Sequence, residues 1–200
     1  AAGEQLFEEM ELGGIVNFIA FRQAVAGYNR IKEKSKPILT LIDFSKPSTE
    51  KRFFVFDMEK KQLLFSSVVS HGRNSGGNYA TSFSNQNGSY KSSLGFYLTE
   101  NTYQGGNGYS LILNGLEKGI NDKAKERSIV VHGASYANPT VAASGRLGRS
   151  LGCPALPTKL AKPIINTIKD GSVMFIYANN SSYLAQSDIL KNVSAPMPAL

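Results

Sequence analysis

The chain is poor in the residues that usually announce a site. Its 200 residues hold one cysteine, Cys153, two histidines, His71 and His132, and no tryptophan. A single cysteine cannot close an internal disulfide, so no disulfide framework holds this fold. It cannot furnish a cysteine-rich zinc site either. No apolar run reaches the ~18 residues that a membrane span needs. Charged residues make up only 18% of the chain, with a net charge of +7. The basic residues are dispersed, with small groups at Lys32/Lys34/Lys36 and Lys123/Lys125/Arg127. Nucleic-acid binding calls for a dense basic stripe or a known module, and neither is present. An anionic polymer or carboxylate-rich partner fits the charge, and so does simple solubility.

What is abundant is small and polar. There are 22 Ser, 15 Asn and 19 Gly, alongside 42% hydrophobic residues. That is enough apolar material for one core, cut by many turns. Leu6, Phe7, Met10, Ile15, Phe18, Ile19, Arg22 and Val25 recur at helical spacing, with a break at Gly13-Gly14. Two short amphipathic helices are expected there, ended by Gly27, the charged stretch Arg30–Lys36 and Pro37. Strands are expected over 38–44, 94–99, 109–113, 128–131 and 172–178. A hairpin is expected from 52–57 and 62–69, turning across Met58–Lys61. A helix is expected over 157–168, with Pro163 inside it. The pattern predicts a mainly β fold, a β-sandwich or barrel-like sheet domain with short N-terminal helices. The expected organisation is an N-terminal helical extension (1–37), a main β domain (38–178) and a polar, surface-bound or frayed tail (179–200). The chain begins Ala1-Ala2-Gly3 and reads as a mature or trimmed form, with any export signal removed.

Two stretches carry candidate chemistry. From His71 to Lys91 aliphatic side chains almost vanish, leaving Gly, Ser and Asn. A loop this long in a compact domain is either functional or mobile. Further on stands Gly152-Cys153-Pro154. Gly152 permits a sharp turn, Pro154 fixes the chain after the thiol, and Arg146 and Arg149 make the approach electropositive. A nucleophilic thiol needs a base, and only His71 or His132 offers an imidazole. Each ends an apolar strand, so chemistry alone leaves both open.

His132-Gly133, a seventeen-residue span from Gly133 to Arg149, and then Ser150-Leu151-Gly152-Cys153 resemble the signature of the murein L,D-transpeptidases, the YkuD-type catalytic domain. His71-Gly72-Arg73-Asn74-Ser75-Gly76, Phe83-Ser84-Asn85, Ser92-Ser93-Leu94-Gly95-Phe96-Tyr97 and Gly145-Arg146-Leu147-Gly148-Arg149-Ser150 extend the likeness to a divergent branch. The resemblance covers about 38–178. Two positions depart from it: Leu151 stands where the family usually has His, and Ala155 where it usually has Arg. No Arg follows Arg149, so Arg146 or Arg149 is the expected substitute, a guanidinium being suited to a carboxylate.

The resemblance implies Cys153 as nucleophile and His132 as general base, the imidazole oriented by the Gly133 carbonyl. It implies an oxyanion hole of backbone N–H groups from Leu151, Gly152 and Cys153. Arg146, Arg149, Ser150, His71 and Tyr136 are the expected substrate contacts, with Tyr97 and Tyr109 as further candidates for the cleft wall. The implied substrate is a peptidoglycan stem tetrapeptide. Cys153 would attack the carbonyl of its third residue, release D-Ala, and pass the acyl group to an amine or to water. The implied setting is the bacterial envelope or periplasm, with no cofactor and no metal.

Other readings weigh against this one. A sortase-like enzyme needs an Arg after the Cys, and a papain-like one has Cys before His in the chain. A zinc site would need Cys153, His71 and His132 to converge. A cell-wall-binding module with an idle thiol is the non-enzyme alternative, kept open by Leu151 and Ala155.

Overall fold

The computed structural model describes residues 2–193. Eight strands form one sheet, and five short helices pack around it. The strands are β1 (Ile38–Asp43), β2 (Phe53–Asp57), β3 (Gln62–Ser67), β4 (Gly95–Gly105), β5 (Gly108–Gly115), β6 (Val130–Gly133), β7 (Ala155–Leu156) and β8 (Val173–Tyr177). The helices are α1 (Ala2–Glu9), α2 (Phe18–Arg30), α3 (Pro139–Ala142), α4 (Thr158–Ile168) and α5 (Ser181–Gln186).

The sheet order is β3-β2-β1-β8-β4-β5-β6-β7. β1 and β8 lie side by side in parallel at its middle, and every residue of both is buried. Continuous apolar runs suit such doubly covered strands. The two ends of the sheet then meet. Ser70, just past β3, bridges Ala155 of β7, with Ser70 N–H donating to the Ala155 carbonyl at 2.9 Å and the return bond at 3.4 Å. The fold is thus a nearly closed, barrel-like sheet and not two packed sheets. Near-closure leaves little strand edge unpaired, and it delivers the segment after β3 directly to the cysteine segment.

Local chemistry accounts for the elements. Asn17 caps α2, its side-chain oxygen accepting from the N–H groups of Ile19 (2.9 Å) and Ala20 (3.4 Å). Asp57 organises the β2–β3 turn, accepting from the N–H groups of Glu59 (3.0 Å) and Lys60 (2.9 Å). Gly27 lets α2 press onto the sheet: a β-carbon there would sit 2.0 Å from the Phe96 ring. Phe96 in turn stacks on Phe175, with centroids 4.2 Å apart. Leu12, Ala20, Phe21 and Ala24 belong to the same core as β1 and β8. Each fully buried Phe or Leu contributes roughly 1.5–3 kcal/mol relative to exposure. The N-terminal helices are therefore built into the main core.

Several boundaries differ from expectation. β4 runs on to Gly105 and makes a long hairpin with β5, with a register irregularity between Thr99 and Thr102. The polar, exposed outer half of this ribbon hides it from a search for apolar alternation. The two-residue β7 and the turns of helix over 135–142 are too short to leave a periodic pattern, and the sequence predicts neither. α4 runs through Pro163. Its apolar face (Ala161, Ile164, Ile165, Ile168) is buried, which offsets the missing N–H. The expected tail is packed as far as residue 193: α5 forms, and Tyr183, Ser187 and Leu190 are buried. The buried Glu117 carboxylate anchors it, accepting from Tyr183 Oη (2.7 Å), Ser187 Oγ and the Phe96 N–H (2.9 Å). Residues 194–200 of that tail lie outside the described residues.

Candidate active site

Parallel pairing of β6 with β7 brings the strand that ends in His132 beside the segment that follows Cys153. His132 is in register with Ala155, and its N–H donates to the carbonyl of Pro154, the residue after Cys153, at 3.3 Å. The imidazole Nδ1 lies 2.9 Å from the Gly133 carbonyl oxygen. A carbonyl can only accept, so Nδ1 carries the proton and Nε2 has a free lone pair.

Cys153 is largely buried. Its sulfur accepts from the Val130 N–H at 3.4 Å and donates to the Ser128 carbonyl at 3.6 Å. Both partners are backbone, so the resting thiol holds its proton. Burial pushes the thiol above its ordinary value, while the Val130 N–H and the Arg127 charge pull the other way.

The turn before the sulfur is tightly braced. Ser150 Oγ donates to the Cys153 carbonyl at 2.6 Å and accepts from the Gly152 N–H at 3.1 Å. Gly152 has φ +126°, and a β-carbon there would sit 2.9 Å from the Lys91 carbonyl and 3.0 Å from the Ile129 side chain. Only glycine fits that backbone at that approach. The Gly152 N–H, one of three expected oxyanion donors, is thus already engaged. The N–H groups of Leu151 and Cys153 have no protein acceptor among the described residues. Ser150 shapes the turn and is not free for substrate.

The long loop is tied to itself by hydrogen bonds. Gly72 N–H donates to Ser92 Oγ (2.9 Å), Asn74 N–H to the Tyr90 carbonyl (3.0 Å), and Ser92 N–H to Ser75 Oγ (2.9 Å). Arg73 N–H reaches across to the Ser150 carbonyl (2.8 Å), and Ser150 N–H to the His71 carbonyl (2.9 Å). The loop therefore forms a wall beside the cysteine turn.

His71 is only 1% exposed, and both ring nitrogens are occupied. Nδ1 accepts from Arg52 Nη2 at 2.8 Å, and Nε2–H points at the carbonyls of Gly77 (2.9 Å) and Gly76 (3.2 Å). It is a buried brace, with no nitrogen left for a substrate. Burial first, and then the Arg52 charge, hold the imidazole down to about 4. The unfolded chain takes up this proton near the ordinary 6.5. Stability from this group is therefore full above that value and is lost as pH falls toward about 4. Linkage puts the loss at about 3 kcal/mol. The urea midpoint of the wild type should fall more steeply over that window than that of His71→Gln; parallel curves would contradict the assignment.

The remaining sequence candidates separate. Tyr136 is half-buried, packs on Gly148, and lies within the field of Cys153; burial, then that charge, pushes its phenol up to about 12. Tyr97 is fully buried, its hydroxyl donating to the Ser93 carbonyl at 2.8 Å, and Tyr109 bonds Asn166 at 2.6 Å. Arg146 turns to the Leu147 carbonyl (2.9 Å) and Arg149 to those of Arg73 (3.0 Å) and Gly76 (3.2 Å). The cation beside the cysteine turn is Arg127, whose Nη2 lies 3.5 Å from where a Gly152 β-carbon would be. In the sequence it is only one member of a loose basic group. No local pattern in the sequence marks it out from its neighbours. Among the described residues no group of three or more His, Cys, Asp or Glu is gathered for a metal, and no helix is long and apolar enough to cross a membrane.

A family model described as the L,D-transpeptidase catalytic domain matches residues 14–177, taking in α2 and the whole sheet. Among solved structures the chain is similar to an L,D-transpeptidase from Mycobacterium smegmatis, at 13% identity and a TM-score of 0.43, covering 71% of this chain and 59% of that one. It is similar to an L,D-transpeptidase from Mycobacterium tuberculosis H37Rv, at 15% identity and a TM-score of 0.45, covering 71% and 58%. It is also similar to a helical cell shape determining protein from Campylobacter jejuni, at 16% identity and a TM-score of 0.48, covering 80% and 55%. The chain spans less than two thirds of the length of each. Among curated proteins none matches its sequence. With the family model spanning most of its length, the chain belongs to the L,D-transpeptidase catalytic domain family.

Proposed function

We propose that this protein is a cysteine acyltransferase of peptidoglycan, acting on stem tetrapeptides in the bacterial envelope. The observation that carries the reading is the pairing of β6 with β7. It brings the His132 backbone against the carbonyl of Pro154, the residue after Cys153, and the ring's Nδ1 is bound to a backbone carbonyl, which supports Nε2 as the base.

His132 Nε2 takes the thiol proton as the sulfur attacks the carbonyl carbon of the third stem residue. The C=O electron pair moves onto oxygen, and the N–H groups of Leu151 and Cys153 are the donors available to hold it. One such donor is worth about 3 kcal/mol in the transition state. Collapse breaks the amide bond, and D-Ala leaves with the proton from His132. The thioester on Cys153 then meets an amine, which yields a cross-link or exchange product, or water, which yields a trimmed tripeptide. His132 accepts the nucleophile's proton and the thiol is regenerated. No carboxylate is needed beside His132, because the Gly133 carbonyl orients the ring without adding charge. The net charge of +7 favours approach of a carboxylate-rich polymer.

Incubation with tetrapeptide muropeptides should release D-Ala and leave a transient acyl adduct on the protein, read by intact mass. Cys153→Ala should show neither. A folded wild-type protein that gives neither product nor adduct would sink the reading. It would favour the wall-binding module, for which the two backbone contacts of the resting thiol already speak.

A further inference from the structure

We propose that Arg127 is a positioning residue for Cys153: it clamps the 84–93 wall onto the nucleophile turn and supplies the counter-charge for the thiolate, in place of a cation after the cysteine. The proposal rests on Cys153 being the reactive thiol.

The first part is geometric. Nη1 of Arg127 donates to the Ser84 carbonyl (3.0 Å) and to Ser93 Oγ (2.7 Å). Nη2 donates to Ser89 Oγ (3.1 Å) and to the Lys91 carbonyl (2.8 Å). One planar fork therefore holds four points of the wall. The Lys91 carbonyl it grips is the atom that lies 2.9 Å from the β-carbon position of Gly152. The wall, the fork and the turn before the sulfur are thus in mutual contact. A lysine could hold one or two of these acceptors but not all four, because its ammonium is a single point on a flexible stem.

The second part is a matter of charge. All four acceptors are neutral carbonyls or hydroxyls. Neither ion pair among the described residues includes Arg127. A half-buried cation without an anion is costly to keep, since neutral dipoles replace water's solvation only in part. Two groups in its field can become anions, the Tyr97 phenol and the Cys153 thiol. Tyr97 is fully buried, which pushes its phenol up, and its hydroxyl donates to the Ser93 carbonyl, so the thiol is the one that ionises first. The other ionisable groups on the elements packed here are His132, in register with Ala155 two residues after the cysteine, and Tyr136, which lies in the thiol's field. The Lys91 ammonium is turned away, bonded to Ser82 Oγ at 2.7 Å. Tyr136 offers no positive charge, and His132 gains one only by taking the thiol's own proton, so Arg127 is the standing cation in the sulfur's field.

The test uses the whole chain and needs no peptide. Alkylation of Cys153 by iodoacetamide is followed by intact mass across pH for wild type, Arg127→Gln and Arg127→Lys, with folding checked by circular dichroism. In Arg127→Gln the rate at neutral pH should drop about five- to tenfold, with the midpoint moved upward. Arg127→Lys should keep a midpoint near that of wild type, yet both variants should be cut faster by trypsin after Lys91, because the fork is gone. An unchanged midpoint in folded Arg127→Gln would overturn the proposal, as would an Arg127→Lys midpoint equal to that of Arg127→Gln. If the glutamine variant does not fold, Arg127→Lys decides: wild-type resistance at Lys91 would refute the clamp. A wild type that releases D-Ala while the variants alkylate normally leaves the enzyme reading intact and removes only Arg127. A wild type that releases none fails the enzyme reading separately.

Discussion

His132→Gln should fold with its thiol intact and release D-Ala about 10²- to 10⁴-fold more slowly than wild type. Glutamine has a similar length and keeps a donor that can reach the Gly133 carbonyl, now 2.9 Å from Nδ1. What it lacks is a basic nitrogen. The thiol, held in its neutral form by burial and by the Ser128 carbonyl, would then have to lose its proton to water. The loss should fall on kcat and leave KM little changed, because a proton acceptor acts on the barrier and not on substrate binding. Turnover measured on a tetrapeptide, beside a thermal melt, checks this. A rate within a few-fold of wild type in a stable protein would mean that His132 is not the base. No other histidine could then take the part, since His71 has both nitrogens bonded inside the protein.

Arg52→Met should cost about 3–5 kcal/mol of folding stability, the largest loss expected from a single side chain here. Arg52 is fully buried. Its Nε and Nη2 donate to the Val69 carbonyl at 3.1 and 2.6 Å, its Nη1 to the Lys46 carbonyl at 3.1 Å, and Nη2 also to His71. Methionine fills much of the same volume, so the packing term is small. The cost comes from two carbonyls and an imidazole nitrogen stranded without donors, each worth about 1–3 kcal/mol. Asp43, buried nearby, would also lose its neighbouring cation. Urea unfolding measures the loss. Adding His71→Gln to Arg52→Met should cost less than the sum of the single changes, because both belong to one network. Strict additivity would show that the contacts do not act together. Activity should fall as well, since this network anchors Val69–His71, the segment that closes the barrel at Ala155 and abuts the cysteine turn.

Some of the site was visible before any coordinates. The only cysteine, between Gly152 and Pro154, and a histidine at the end of an apolar strand are local features, and the pairing of β6 with β7 brings the strand that holds one beside the segment that follows the other. Other candidates shared the same local look and went elsewhere. His71 also ends an apolar strand, yet a buried arginine nineteen residues upstream claims it. Arg146 and Arg149 are near the cysteine in sequence, but the turn at Gly145–Ser150 directs both onto backbone carbonyls. Arg127, well removed in sequence, is the one that arrives.

Periodicity and turn chemistry in the sequence determined where most strands lie, that two helices precede them, and that one thiol is available. Those properties depend on neighbours a few residues apart, and alternation or a capping side chain records them directly. Tertiary structure alone decided that the sheet closes through Ser70 and Ala155, that the Ser150 hydroxyl takes the Gly152 amide, and which cation faces the sulfur. Such contacts join segments tens of residues apart. A guanidinium or an imidazole carries the same chemistry whether it braces a loop or serves a site. Burial and the geometry of its hydrogen-bond partners settle which, and these exist only once the chain has folded.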